Sequence, residues 1–484
     1  MRKILLLMLS PIIVFSQFSE SNLPIVIIKT NGRVILDEPR IVCDMGIIDN
    51  GFGNINSVND PFTGYNGKIS IEYRGSSSQS FPKKAYALET QDYLGNNNNV
   101  SLLGMPVEND WILYAPYSDK SLMRNFLTFY LGNKMGRYAP RTKFCELVVN
   151  GDYRGVYVLM EKIKRDNGRV DIAKLDNDDI TGDNLTGGYI IKIDKYTGSG
   201  GAYWISNYNT IGENRLYIQY HYPEAAIISD EQKNYIIDFM DDFEYALKTT
   251  HFTNYSSDYL KYIDINSFID FYIINELSRN IDGYRLSTYM YKDKDSKGGK
   301  LTMGPLWDYN LAFGNAHYCD GWNVNGWQQD GGCFDLADIP FWFERLLEDT
   351  VYQNTLKCRW EYLRETSFHQ DAIFNFIDSL ALYLDDAQQR NFQRWDILGS
   401  YVWPNYYVGN TYQDEIYFLK SWISDRLIWM DDNIPSCDSN GYITFNPKLA
   451  AIYDILGRET KEIKNVPLFY MYYPGRVKKI IILE

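Results

Sequence analysis

The feature that most constrains the fold is a change of hydrophobic period part-way along the chain. Up to residue 161, apolar residues come in strand-length blocks separated by turn signals. Residues 23–36 (LPIVIIKTNGRVIL) break at Asn31-Gly32, and residues 68–90 read KISIEYRG, a small-residue loop, then KKAYALET. Residues 144–161 (FCELVVNGDYRGVYVLME) turn at Asn150-Gly151. Asn-Gly accepts the left-handed backbone of a two-residue turn, so these blocks predict hairpins. One helix-period segment, 121–135, sits among them, and a further strand, IIKID, follows Gly188-Tyr189. Later the period lengthens to three or four residues. Helices are expected at 229–248, 265–279 (with Asp264 as N-cap), 341–364, 374–384 and 416–430. A strand at 284–291, the turn KDKDSKGGK and a strand at 301–303 interrupt them, and a β-rich tail, 442–484, follows a break at 436–441. This order predicts an α+β fold: a β-rich lobe, a helix-rich lobe and a small C-terminal β domain.

Charge and composition remove several function classes. With 48 Lys and Arg against 62 Asp and Glu, the net charge is −14, which repels polyanions and argues against nucleic acid as a partner. The four histidines, His221, His251, His317 and His369, lack ligand spacing, so a histidine zinc site is not expected. Residues 1–17 have Arg2 and Lys3, an apolar run from Ile4 to Phe15, then Ser16 and Gln17. That is the order of a cleaved secretory signal, and no later segment has membrane-spanning length. Export permits disulfides among the six cysteines, and Cys319 with Cys333 is the local pair expected to join.

Three constellations could carry chemistry. Arg74, Gly75, Ser76, Ser77 and Ser78, followed by Lys83 and Lys84, could lay backbone N–H groups and a lysine charge on phosphates. An exposed hairpin loop with a solvated lysine pair would look the same. Glu161 could pair with such a lysine, or equally with Lys162 or Lys164 at the surface. In NIDGYR and GPLWDYN, Asp282 and Asp308 stand on either side of a hairpin. Phosphotransferases use one such aspartate on the acceptor hydroxyl and another on magnesium. Asp282 before Gly283 also suits a plain tight turn, and Asp308 a cap.

RGSSSQSFPKKAYALE, LMRNFLTFYLGNKMG, NGDYRGVYVLMEKI, NIDGYRLSTYMYKD and GPLWDYNLAFGN occur in that order. Together they resemble the spore-coat CotH kinase family, over about 25–433. The resemblance implies an atypical protein-kinase-like two-lobed fold over 18–436. It also implies a secreted enzyme using ATP with Mg or Mn to phosphorylate Ser or Thr of an extracytoplasmic protein. By position it makes Arg74–Ser78 the nucleotide loop, Lys83 or preferably Lys84 the phosphate lysine, and Glu161 its partner. Asp282 becomes the catalytic aspartate and Asp308 the metal ligand. Arg124-Asn125 matches a recurrent pair with a structural or phosphate-adjacent role. Ser287 falls where kinase-like sites place a second metal ligand, usually asparagine, and Asn310 where the family often has an acidic residue. These departures keep a catalytically weak surface scaffold as the alternative function. A carbohydrate-active enzyme is a third, suggested by the acidic, Tyr- and Trp-rich composition. The tail, with YDILGRE and VKKIIIL, resembles a type IX secretion sorting domain over 437–484, although Leu468 follows Pro467 where glycine is usual. That resemblance implies type IX secretion machinery as a partner, and a secreted or cell-surface location in a Gram-negative, Bacteroidota-like bacterium.

Overall fold

The computed structural model describes residues 18–196, 201–249, 258–331, 333 and 338–437, together with the backbone of four strands between 448 and 480. The signal-like segment 1–17, His251 and most of the tail loops lie outside the described residues.

Seven strands close into a barrel: β1 Ile25–Lys29, β2 Ile41–Ile48, β3 Tyr65–Arg74, β4 Ala85–Gln91, β5 Asp110–Tyr114, β6 Thr142–Val149 and β7 Asp152–Glu161. Their order is β1-β2-β3-β4-β5-β7-β6, and a parallel pairing of β6 with β1 closes the ring. Alternate side chains point to opposite faces of a strand. Ile69, Ile71, Leu88, Trp111, Leu113, Cys145, Leu147, Tyr157 and Leu159 therefore fill the barrel. Ile112, Phe144, Val156, Val158 and Met160 face outward into a second core built mainly by helices. The hairpin expected within 23–36 forms differently. β1 pairs with β2 instead, and Val34 and Leu36 lie exposed on the loop between them.

A five-stranded antiparallel sheet follows, from β8 Tyr189–Ile193, β9 Tyr203–Asn209, β10 Arg215–Tyr222, β11 Thr288–Lys292 and β12 Leu301–Met303, in the order β9-β10-β8-β11-β12. The helices are α1 Arg124–Lys134, α2 Asp230–Thr249, α3 Ile265–Ser278, α4 Thr350–Glu365, α5 Gln370–Tyr383, α6 Asp385–Arg394 and α7 Tyr412–Asn433. The expected 341–364 helix is broken. Asp349 starts α4 afresh by accepting the Val351 N–H at 2.8 Å, which leaves a short helix at Trp342–Leu346 before it. α3 begins at the expected cap, where Asp264 accepts the Asn266 N–H. It is buried on nearly every side, as a central helix must be. The tail backbone forms a four-stranded antiparallel sheet, β13 Lys448–Tyr453, β14 Glu459–Thr460, β15 Leu468–Tyr473 and β16 Arg476–Ile480. Among the described residues, no helix is long and apolar enough to cross a membrane. Cys319–Cys333 is bonded as expected, Cys358 pairs with Cys437, and Cys43 and Cys145 are buried free thiols.

One buried carboxyl gives this fold a pH signature. Glu244 on α2 accepts hydrogen bonds from the Ser206 hydroxyl (2.6 Å) and the Trp342 indole (2.8 Å), and burial pushes it up to about 7. Because the folded state holds this proton more tightly than the unfolded chain, its stabilisation is full below pH 4.5. It is lost as pH rises through about 7, a change of up to roughly 3 kcal/mol. Glu244→Gln keeps an acceptor for Trp342 and a donor for Ser206, so it is expected to flatten the fall in Tm between pH 4.5 and 7. An unchanged slope would contradict this.

Candidate functional site

A cleft of about 380 Å³ lies where the outer face of the barrel meets the second sheet and two loops. From the barrel come Arg74, Ala85, Ile112, Tyr114 and Met160. Arg74 and Ala85 are cross-strand partners, so strand alternation places both on this face. Beyond Arg74 the chain turns at Gly75 (φ +109), where a Cβ would lie 2.0 Å from the Ser78 hydroxyl. The single turn Ser77–Ser80 follows, with the Gln79 N–H donating to Ser76 O and the Phe81 N–H to Ser78 O. Gly75, Ser76, Ser77 and Ser78 are exposed along the cleft.

Asp282 lies in the first turn after α3. Its carbonyl accepts the Leu286 N–H at 3.0 Å, and its carboxylate meets Arg285 at 3.2 Å. The Asp-Gly step is a helix-to-strand turn and not a hairpin. Gly283 is required by space, since a Cβ there would sit 2.6 Å from Asn275 Oδ1 on α3. Asp308 has a left-handed backbone (φ 65), sparsely populated for a residue with a Cβ. Neighbours hold it there. Asn125 Oδ1 on α1 accepts the Tyr309 N–H at 2.6 Å, and the Tyr309 hydroxyl donates to Asn275 Oδ1 at 3.1 Å. Arg124, buried and paired with Asp119 at 2.6 Å, donates to the carbonyl of Ala312 just beyond. The Arg124-Asn125 pair is thus a clamp on the Asp308 loop, and Asn125 also lines the cleft.

The cleft is electrostatically dense. Burial, then the Asp282 charge, pushes the Asp308 carboxyl up to about 6; Arg74 and Lys195 oppose this, and Asp194 adds to it. Burial pulls Arg74 down while its guanidinium lies 4.9 Å from the Trp307 ring centroid. Lys192 on β8 donates to Asp194 at 2.7 Å. Ser287, Asn310, Tyr289, Trp307 and the Asp282-paired Arg285 also line the cleft. Among the described residues, no three His, Cys, Asp or Glu side chains converge as a self-sufficient metal cluster. The donors present are hard oxygens, among them the buried Asp308 carboxyl with Asp282 and Asp194 nearby. That set suits a magnesium-type cation whose remaining ligands come from phosphates and water.

A family profile described as "CotH kinase protein" matches residues 71–430, a span that includes every residue of this cleft. The chain belongs to this family. It is also similar to the inner spore coat protein H of Bacillus subtilis (strain 168), with 22% identity over 303 residues, 62% of this chain and 72% of that protein.

In this CotH kinase chain, Arg74 to Ser78, Asp282, Asp308 and Ser287 meet in one cleft, whereas Lys83, Lys84 and Glu161 line none of it. Strand parity is the reason for Lys84 and Glu161. Lys84 shares the face of Tyr86, as its spacing suggests, but that face points into the end of the barrel. Lys84 instead steadies the serine loop from behind, its Nζ donating to Gln79 O. Lys83 is buried, and its Nζ donates to Val156 O (2.6 Å), Asn391 Oδ1 (2.8 Å) and Pro116 O (3.2 Å), tying α6 to the barrel. Glu161 has the barrel-side parity of Tyr157 and Leu159. It is held by Arg141 at 2.9 Å and the Tyr138 hydroxyl at 3.1 Å, while Lys162 and Lys164 pair with Asp110. The cations that do reach the cleft from the second sheet, Lys192 and Lys195, were missed along with Asp194. Their signal was the IIKID strand, whose alternation sets Lys192 and Asp194 on one face.

Lys83→Met takes the ammonium donor from three buried acceptors, of which Asn391 Oδ1 keeps the Val156 N–H, and is expected to lower unfolding stability by roughly 2–3 kcal/mol in urea. Lys84→Met, half-buried with a single carbonyl partner, should cost less than about 1 kcal/mol. Equal losses for the two variants would contradict these placements.

Proposed function

We propose that this CotH kinase family member is an exported, atypical protein kinase. It transfers the γ-phosphoryl group of ATP to a Ser or Thr hydroxyl of an extracytoplasmic protein. The observation that carries the reading is the convergence of the Arg74–Ser78 loop, Asp282 and Asp308 in one cleft. Phosphoryl transfer needs positioned charge more than covalent chemistry from the protein. Serine-loop N–H groups and Arg74 would bind phosphate oxygens, with Lys192 in the role that Lys83 and Lys84 cannot fill. Asp282 would accept the hydroxyl proton as the acceptor oxygen bonds to phosphorus and ADP leaves. Asp308, with Ser287 and Asp194 nearby, would hold a Mg or Mn ion, which neutralises phosphate charge when bound. The Trp307 and Tyr289 rings offer apolar walls for the base. In this reading the barrel and the helical body are the two lobes of a kinase-like layout.

The ends of the chain extend the proposal. Residues 1–17 serve as a cleaved signal, 18–436 as the kinase body, and 437–484 as a sorting domain for type IX secretion. The mature protein then resides outside the cell or on the surface of a Bacteroidota-like bacterium. The similarity to a protein named for a spore coat supports an extracytoplasmic setting. Ser287 and Asn310 favour a second reading, a weak kinase retained as a surface scaffold, because each replaces a stronger metal ligand.

The test is ATP turnover and autophosphorylation by the mature chain with Mg or Mn. Asp282→Ala is expected to lower kcat about 10²–10⁴-fold with nucleotide affinity largely kept. Asp308→Ala should weaken metal-dependent nucleotide binding itself. A wild-type protein that binds no Mg- or Mn-ATP would refute the kinase and leave the scaffold.

A further inference from the structure

The end of the barrel that receives Lys84 is a second, separate pocket of about 240 Å³. Arg33, Lys84 and Arg154 line it with Tyr73, Tyr86 and Tyr157, and no Asp or Glu does. In a chain with 62 acidic against 48 basic residues, three cations around one cavity without a carboxylate go against the overall balance. Their existing partners leave donors over. Lys84 Nζ donates to Gln79 O and Arg33 Nη1 to Val42 O at 3.1 Å, both backbone carbonyls. Asp152 meets Arg154 Nη2 at 3.1 Å from outside the pocket lining, while Arg154 Nε is buried without a hydrogen-bond partner. Tyr86 and Tyr157 are almost wholly buried and form the floor, and the Tyr157 hydroxyl donates to Lys84 O at 2.8 Å.

From this geometry we infer that the barrel mouth is a binding site for a phosphate group, either free phosphate or a small phosphate monoester. Two guanidinium forks and an ammonium around one space supply the multiple charge-assisted donors that a tetrahedral oxyanion uses. The volume equals roughly eight water molecules and falls below the ~300 Å³ where drug-sized ligand pockets begin. A phosphate with a short organic substituent fits that space, and a nucleoside triphosphate does not. The site is distinct from the nucleotide cleft, because Tyr73 and Lys84 lie on the barrel face of the β3–β4 hairpin, opposite Arg74 and Ala85. It stands whether or not the cleft transfers phosphate.

Titration calorimetry of the mature full-length chain, with inorganic phosphate in one arm and O-phosphoserine in the other, tests this. Saturable binding is expected in at least one arm, and which arm binds more tightly identifies the source of the phosphate. Lys84→Met and Arg33→Gln should each weaken it by about tenfold, the loss of one charge-assisted hydrogen bond. Arg74→Ala, on the opposite face, touches only anion binding in the cleft and should leave the component that depends on Lys84 and Arg33 unchanged. The inference is overturned if neither ligand binds at millimolar concentration. It is equally overturned if binding survives Lys84→Met and Arg33→Gln but is lost in Arg74→Ala, which would put the anion in the cleft.

Discussion

Both aspartate loops hang from the last turn of α3, and the cleft depends on the buried polar junction there. Glu276, fully buried, accepts hydrogen bonds from the Tyr284 hydroxyl (2.8 Å) and from the N–H groups of Gln328 (2.6 Å) and Gln329 (2.9 Å). Arg426 of α7, also fully buried, meets it at 3.3 Å and donates to its backbone carbonyl. One residue earlier, Asn275 receives the Tyr309 hydroxyl and leaves room only for glycine at 283. A buried carboxylate is tolerable when its acceptor sites are filled, and removing one partner strands the rest in low dielectric. The arrangement therefore resists piecemeal change, and that resistance fixes where Asp282 and Asp308 emerge.

The barrel supplies the opposite wall of the cleft by a different device. Closure turns each strand into a two-faced element, so one residue packs the barrel and the next faces the helical core or the cleft. Arg74 makes the last pairing of β3, and the serine loop continues beyond it, steadied from behind by Lys84 through Gln79. The cleft then sets Arg74, Lys192, Lys195 and Arg285 against Asp194, Asp282 and Asp308. Such near-balance leaves room for both a polyphosphate and a divalent cation, each neutralising the side chains that face it.

Much of this was legible in local sequence, and the misses share a cause. The hairpin at Asn150-Gly151, the cap at Asp264, the strand pair around KDKDSKGGK and the Cys319–Cys333 bond all rest on neighbouring residues, and all are present. The Asn31-Gly32 hairpin failed because β1 found a better partner beyond Pro39, with residues 33–36 left outside the ladder. Alternation correctly grouped Lys84 with Tyr86, but nothing local tells which face becomes the inside when β6 joins β1 across more than a hundred residues. The same gap misplaced Glu161. It also hid Lys192 and Asp194, whose relevance appears only when the second sheet meets the barrel.

The most direct measurement of the central claim is a crystal structure of the mature chain with magnesium and a non-hydrolysable ATP analogue. The triphosphate is expected between the Ser76–Ser78 loop and Asp308, with a metal on the Asp308 carboxylate and the γ-phosphate facing Asp282. Nucleotide bound away from this cleft, or in it with Asp282 and Asp308 both turned from the phosphates, would contradict it.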